Sequence, residues 1–202
     1  FDPKTEVLVD PLAGSGTLLV EAGLMAAGKP LWMSGRQPAY REFPGGAPTY
    51  QGKPPALFAD TRPALFGAEA DSATYDAFLR ASETAGVMGQ MNAFEGDFRE
   101  DIFIEGVKER AEERAIVVLS NPPYGERLNV TREELGNIYA DLREFCHRVG
   151  ADRAGFIVGQ RRERETSTLE LFQRAFGGRP RIKKPMNNGP LQAQFFLYDF
   201  SS

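Results

Sequence analysis

One apolar run, Ile116-Val117-Val118-Leu119, constrains the fold of this chain more than any other feature of its sequence. No polar residue interrupts the run, which is typical of a central strand covered on both faces of a parallel sheet. Parallel neighbours are joined by long crossover connections that usually contain a helix. The run therefore predicts a chain in which strands and helices alternate.

The rest of the sequence shows this alternation. Short apolar or β-branched runs predict further strands at 7–9, 65–68, 93–94, 156–158 and 195–198. The spacing of apolar residues and the helix-starting signals predict helices over 18–25, from Asp71 or Ser72 to about Gly86, from a Thr131/Glu134 capping box to Val149, and over 169–176. Right-handed crossovers between such elements give a doubly wound α/β sheet.

The length of the chain predicts a single domain over 1–202. Its 202 residues, 42% of them hydrophobic, suffice for one sizeable core. Residues 28–63 hold seven of the 14 prolines and five glycines, which predicts a long surface insertion rather than regular structure. Because the chain begins with Phe1, only a few residues before its first strand, we expect it to be a piece of a longer protein.

The lengths of the apolar stretches and the number of cysteines indicate the cellular compartment in which we expect the chain to work. No stretch approaches the roughly 18 apolar residues that a membrane-spanning helix needs, and no secretory signal opens the chain. We therefore expect no contact with a membrane. The single cysteine, Cys146, excludes an intramolecular disulfide and a cysteine-based zinc cage, so we expect no metal and a reducing, cytoplasmic setting.

Charge is unevenly distributed along the sequence. The net charge of -4 combines a balance of -8 over residues 1–150 with a balance of +5 over residues 151–190. The basic stretch is either a solvated surface or the edge that an anionic partner approaches.

A glycine-rich segment, Asp10-Pro11-Leu12-Ala13-Gly14-Ser15-Gly16-Thr17, follows the first strand. Open α/β sheets bind ligands at this carboxyl end. The segment lacks the Gly-Lys-Ser/Thr of a phosphate-binding loop and the third glycine of the dinucleotide fingerprint. It is therefore either a tight turn without a ligand or a turn whose glycines let the backbone approach an uncharged or zwitterionic ligand.

Carboxylates follow the next two strands. Glu69 has two oxygens that suit the two hydroxyls of a ribose, and Asp97 is placed to accept from the exocyclic amine of an adenine. Each carboxylate alone is equally explained as a helix cap or a surface charge. Their occurrence at successive strand ends favours a nucleotide-like ligand.

The most specific motif is Asn121-Pro122-Pro123-Tyr124, directly after the apolar run. Two prolines remove two backbone donors and stiffen the loop. The Asn121 oxygen and a loop carbonyl can then accept both N–H groups of a planar amine, while Tyr124 offers a ring on which a base stacks. The alternative is a turn with a buried structural tyrosine.

The order of these motifs, DPLAGSGT, GAEAD, EGD and SNPPYGERL, resembles the S-adenosylmethionine-dependent amino-methyltransferases. Within them the chain is most similar to the methyltransferase domain of the large-subunit (23S) ribosomal RNA guanine-N2 methyltransferases, often labelled N6-adenine-specific DNA methylases. The similarity extends to Lys184 and to Asn188-Gly189-Pro190-Leu191. It implies a Rossmann-like class I methyltransferase fold, with a mostly parallel seven-stranded sheet and a C-terminal antiparallel strand.

The resemblance also implies roles for individual residues. S-adenosyl-L-methionine is the implied cofactor, and the residues that would bind it are Asp10, Ala13, Gly14, Gly16, Thr17, Glu69, Ala70, Asp97, Phe98 and Asn121. The implied catalytic residues are Asn121, Pro122, Pro123 and Tyr124. Two positions depart from the family, which commonly has cysteine in place of Ala13 and aspartate in place of Glu69.

Ribosomal RNA is the implied partner, and the implied reaction is attack of the exocyclic guanine N2 on the sulfonium methyl group. The family's RNA-binding module lies N-terminal to the part that this chain covers. Adenine N6 in DNA or RNA and the side-chain amide of a protein glutamine stay open as targets, because each presents a planar amine. A non-catalytic RNA-binding or assembly module that keeps the fold also stays open.

Overall fold

The computed structural model describes residues 1–27, 63–124, 131–159, 167–188 and 191–200. Except for its last residue, the predicted insertion over 28–63 lies outside these ranges. The described residues contain seven strands: β1 (Glu6–Asp10), β2 (Ala64–Glu69), β3 (Met91–Glu95), β4 (Ala115–Ser120), β5 (Arg153–Gly159), β6 (Ile182–Asn188) and β7 (Leu191–Asp199).

Five α-helices accompany these strands in the described ranges: α1 (Thr17–Ala26), α2 (Ser72–Thr84), α3 (Asp101–Ala111), α4 (Arg132–Val149) and α5 (Thr168–Phe176). Asp71 caps α2 by accepting a hydrogen bond from the Thr74 N–H. At α4 the predicted capping box is present, with Thr131 and Glu134 each accepting from the other's backbone N–H. Local polar signals therefore fix where these two helices begin.

The strands form one sheet in the order β3-β2-β1-β4-β5-β7-β6. Strands β1 to β5 pair in parallel, whereas β7 runs antiparallel to both β5 and β6. The predicted doubly wound, mostly parallel sheet is confirmed, with two antiparallel strands at its C-terminal edge. The order reverses between β1 and β4, which is where open α/β sheets bind their ligands.

Helices cover the sheet in two layers, because successive residues of a strand point to opposite faces. On one face, Leu8 packs with Leu19 of α1 and Phe78 of α2. On the other face, Val7 and Val9 belong to a larger core that includes the apolar residues of α3, α4 and α5. The two layers hold the carboxyl ends of β1 and β4 side by side at one edge.

The structure contains two elements that the sequence analysis did not predict, α3 and β6. Helix α3 buries Phe103, Ile104 and Val107, but Gly106 and its many charged residues weaken the helical signal. Strand β6 contains Pro185 and two asparagines, residues with low strand propensity. Its position at the edge of the sheet explains why a proline is tolerated there.

Candidate functional site

A cavity of ≈ 440 Å³ lies at the reversal point of the sheet, within the usual range for small-molecule sites. The ends of β1 and β4 border it, and the C-terminal strands form its far side. Its lining consists of Asp10, Leu12, Ala13, Gly14, Ser15, Thr17, Leu18, Asn121, Ile157, Met186 and Ala193.

The glycine-rich turn forms the cavity wall on the β1 side. The Ala13 N–H donates to the Ala68 carbonyl at 3.0 Å, and Gly16 N–H donates to the Ala13 carbonyl at 2.9 Å. Both glycines have positive φ, 56° at Gly14 and 76° at Gly16. A Cβ on Gly16 would lie 1.9 Å from the Phe78 ring, whereas one on Gly14 would meet nothing within 4 Å. Gly16 is thus fixed by packing, while the backbone at Gly14 stays open to an approaching group.

Glu69 connects this turn to the end of β2. Its carboxylate accepts from the Gly14 N–H at 3.0 Å and from the Asp71 N–H at 2.8 Å. Each carboxylate oxygen has a second lone pair, so the group keeps its capacity to accept from two hydroxyls. Glu69 therefore orients the glycine turn and remains chemically suited to a ribose.

Asp10 is a buried carboxyl at the end of β1. Burial raises its pKa to about 7; the nearby Ser120 hydroxyl and a hydrogen bond from the Leu12 N–H, at 3.1 Å, lower the pKa, and the charge of Glu69 raises it. The Ser120 hydroxyl is itself buried and forms no aligned hydrogen bond within the described ranges. The carboxyl thus lies in a poorly solvated place next to the cavity.

Asp97 lies in the loop after β3, and Arg99 holds its carboxylate. Arg99 donates to both oxygens, with an Nε to Oδ1 distance of 2.7 Å, and its Nη1 also donates to Asp141 of α4 at 2.9 Å. These hydrogen bonds lower the pKa of Asp97. The Gly96 N–H donates to the Glu69 carbonyl at 2.9 Å, which ties this loop to the end of β2.

The Asn121–Tyr124 loop leaves β4 on the other side of the cavity. Asn121 is exposed and lines the cavity, whereas Pro122 is buried. The hydroxyl of the buried Tyr139 in α4 donates to the Pro123 carbonyl at 2.7 Å. A hydrogen bond from the protein core therefore sets the position of this loop.

Tyr124 is half-buried, and its ring lies against Gly159 at the end of β5. A Cβ at Gly159 would lie 2.2 Å from two atoms of that ring. The position of Tyr124 therefore depends on the absence of a side chain at residue 159.

The structure brings some predicted site residues together and leaves others apart. Asp10, Ala13, Gly14, Thr17 and Asn121 line one cavity. Glu69 reaches the cavity wall through its hydrogen bond with Gly14. The remaining predicted residues lie outside the lining: Gly16, Ala70, Asp97, Phe98, Pro122, Pro123 and Tyr124.

Sequence reasoning missed five residues that shape the site: Tyr139, Ile157, Gly159, Met186 and Ala193. For this group the sequence offers one local signal: Gly159, which directly follows the predicted strand over 156–158 and could mark a close approach of another group. The others act through contacts between distant segments, which no short motif encodes.

Other reactive groups lie away from the cavity. Cys146 is buried within α4, and burial raises the pKa of its thiol, so it is unsuited to act as a nucleophile. His147 packs edge-on against Phe200, with ring centres 5.1 Å apart. Among the described residues no group of three or more His, Cys, Asp or Glu side chains is placed to hold a metal ion. In these same ranges no helix is both long and apolar enough to cross a membrane.

Curated relatives are similar along most of the chain. Ribosomal RNA large subunit methyltransferase K/L of Marinobacter nauticus is 30% identical over 210 residues, which cover 95% of this chain and 26% of the relative. The protein of the same name from Shewanella pealeana is 29% identical, with the same coverage of 95% and 26%. The chain thus spans about a quarter of the length of the curated relatives it matches.

Solved structures share the fold. SMU.472 complexed with SAH superposes with a TM-score of 0.72 at 18% identity, covering 98% of this chain and 49% of the other. A predicted N6-adenine-specific DNA methylase from Listeria monocytogenes gives a TM-score of 0.64 at 19% identity, covering 98% and 47%. These similarities support the Rossmann-like methyltransferase fold.

A sequence profile provides the assignment to a family. The profile described as "RMKL-like, methyltransferase domain" matches residues 3–193, nearly the whole chain. The match includes the glycine turn of β1, the carboxylates after β2 and β3, and the Asn121–Tyr124 loop. The chain belongs to the family of RMKL-like methyltransferase domains.

Proposed function

We propose that this chain is an S-adenosylmethionine-dependent methyltransferase domain that acts on the exocyclic N2 amine of a guanine in large-subunit ribosomal RNA. One observation carries the proposal: the Gly14 turn and Asn121 line the same cavity. A cofactor bound along the turn and an amine held at Asn121 would therefore face each other. Methyl transfer requires such an arrangement, with the reacting atoms about 3–3.5 Å apart.

The residues on the cofactor side fit S-adenosylmethionine. The open backbone at Gly14 admits the methionine part near Asp10, Ala13 and Thr17, and Gly16 supports the turn. Glu69, beside Ala70, retains lone pairs for the ribose hydroxyls. Asp97 and Phe98 follow β3, where the adenine would lie. When bound, the cofactor supplies an electrophilic methyl group on a sulfonium.

The residues on the amine side act through hydrogen bonds. The Asn121 side-chain oxygen and the Pro122 carbonyl would accept the two N–H groups of the target amine, and the Tyr139 hydrogen bond to the Pro123 carbonyl sets the position of the loop that carries them. These acceptors favour the positive charge that develops on the nitrogen as it attacks, so they stabilise the transition state more than the ground state. Tyr124 supports the base, and the amine's extra proton passes to solvent after transfer.

The proposal that RNA is the substrate rests on relatives and charge. The relatives are named as ribosomal RNA methyltransferases, and residues 151–190 carry a balance of +5 that suits a polyanion. We propose that most of the RNA affinity lies in a module outside this chain.

Nucleoside mass spectrometry tests the proposal. The full-length protein is incubated with unmodified large-subunit ribosomal RNA and S-adenosylmethionine, and the digested RNA is searched for methylated nucleosides. We expect N2-methylguanosine, and an Asn121→Ala variant should form it roughly 10²-fold more slowly. Asn137→Ala changes an exposed asparagine in α4 and should leave the rate unchanged. N6-methyladenosine, or no methylated nucleoside at all, would overturn the assignment.

A further inference from the structure

Three neighbouring strands present a row of residues at the far end of the cavity. Gly159 of β5 pairs with Ala193 of β7, which in turn pairs with Met186 of β6. Directly paired residues of antiparallel strands point to the same face of the sheet. The Tyr124 ring, the Ala193 methyl and the Met186 side chain therefore lie side by side on one face.

Met186 is the member of this row that an incoming group can reach. The Tyr124 ring lies over β5, and Met186 belongs to β6, two strand spacings away, which is about 9.5 Å. Ala193, between them, is only 3% exposed, so its methyl group is already covered by its neighbours. Met186 is 41% exposed and is the most exposed of the three.

The direction of the cofactor site indicates which group would approach Met186. From the glycine turn of β1, Glu69 and Asp97 lie toward β2 and β3, at one side of the sheet. Met186 lies on the opposite side, beyond β4, β5 and β7. The cofactor's ribose and adenine therefore extend away from Met186, and the volume near Met186 is left for the methyl acceptor.

We propose that Met186 is a substrate-contacting residue, which packs against the target nucleobase on the side of the cavity opposite the cofactor. This inference rests on the proposed function and assigns a substrate wall to the C-terminal hairpin. Met186 is 41% exposed and lines the cavity. A thioether packs well on an aromatic ring and adapts its shape through three rotatable bonds. In this position it would close over the base from the outer edge of the sheet.

Steady-state kinetics with the full-length protein and ribosomal RNA test the role of Met186. We expect Met186→Ala to raise the KM for RNA about ten-fold, the effect of losing one apolar contact in a pocket, and to leave the Kd for SAH unchanged. Met186→Leu, which keeps an apolar side chain, should restore most of the affinity. Met88→Ala is the matched control, because Met88 is exposed to a similar extent, 36%, and lies outside the cavity lining.

A second measurement does not depend on turnover. The methionine methyl groups of the chain are labelled with ¹³C, the protein is saturated with SAH, and guanosine 5′-monophosphate is added. We expect the Met186 methyl resonance to move upfield, because it lies over the ring, while that of Met88 stays in place.

The possible outcomes separate this inference from the proposed function. If wild-type protein forms N2-methylguanosine and Met186→Ala has an unchanged KM for RNA, the role assigned to Met186 is wrong and the proposed function stands. If SAH alone shifts the Met186 methyl and the nucleotide adds nothing, Met186 contacts the cofactor and the inference is overturned. If the wild-type protein binds no SAH, the proposed function fails first.

Discussion

Removing the Tyr139 hydroxyl is the sharpest test of the role assigned to the Asn121–Tyr124 loop. Its hydroxyl is buried and donates to the Pro123 carbonyl at 2.7 Å, while its ring packs edge-on against Phe172. Tyr139→Phe keeps the ring and removes only the donor. Because Pro123 is only partly buried, losing this hydrogen bond costs about 0.5–1.5 kcal/mol. We expect Tm to fall by roughly 2–4 °C for each kcal/mol lost.

The same change should reduce catalysis more than binding of the cofactor. If the loop relaxes when the hydrogen bond is lost, Asn121 moves from the position that orients the amine, and a shift near 1 Å lowers the rate by up to roughly 10²-fold. We therefore expect Tyr139→Phe to lower kcat and to leave the Kd for SAH within about two-fold, since Tyr139 lies outside the residues that line the cavity.

Tyr198→Phe is the matched control for this prediction. Tyr198 is also buried, at 4% exposure, but its hydroxyl has no hydrogen-bond partner in the part of the chain that the structure describes. Removing it should change the free energy of unfolding by less than about 0.5 kcal/mol, or stabilise the fold, because no buried partner is left unpaired. Calorimetric melting and single-turnover methyl transfer measure both variants. If the two variants lose equal stability and equal rate, the role assigned to Tyr139 is refuted.

Three further predictions, made with four substitutions, have separate outcomes. Gly14→Ala should cost about 1–2 kcal/mol for its positive φ, whereas Gly16→Ala should cost about 1–3 kcal/mol more, because its methyl group overlaps a buried ring; equal melting temperatures would contradict this. Because the pKa of Asp10 is raised from 3.8 to about 7, the folded state binds the proton more tightly, and stability should fall by roughly 4 kcal/mol as the pH rises from 4 to above 7. Asp10→Asn should remove that slope in denaturant titrations, and a variant with the full slope would show that Asp10 is not its source. The hydrogen bonds from Arg99 lower the pKa of Asp97, so the ion pair between them stabilises the fold, by under about 1 kcal/mol. This stabilisation is present above pH 4 and is lost as the pH falls through the lowered pKa of Asp97. Arg99→Met should raise that pKa toward 3.8 in an NMR titration, and an unchanged pKa would contradict the ion pair.

Local signals explain what could be predicted from the sequence. The apolar run in β4 and the capping box at Thr131 are properties of a few neighbouring residues, and both are confirmed. Because strands β1 to β5 are parallel, the residues that follow them meet at one edge, so the predicted sites at Gly14 and Asn121 line one cavity. Topology therefore gave the position of the site without any long-range contact being known.

Contacts between distant segments explain what could not be predicted. Strand β6 exists because it pairs with β7, and the low strand propensity of its proline and asparagines hides it in the sequence. The Tyr139 hydrogen bond joins α4 to the loop before it, and Tyr124 lies on a glycine of β5. These contacts depend on the assembled sheet, so Met186 becomes visible as a candidate only once β6 is placed.

The central claim is that the cavity between β1 and β4 binds S-adenosylmethionine, and calorimetric titration of this chain with SAH tests it most directly. We expect one molecule of SAH bound per chain. Glu69→Ala should weaken binding at least ten-fold, because it removes both the ribose acceptor and the anchor of the Gly14 turn. Glu83→Ala, at an exposed position near the end of α2, should bind as the wild type does. Absence of binding heat at several temperatures, or equal affinity for SAH in the wild type and Glu69→Ala, would contradict the account.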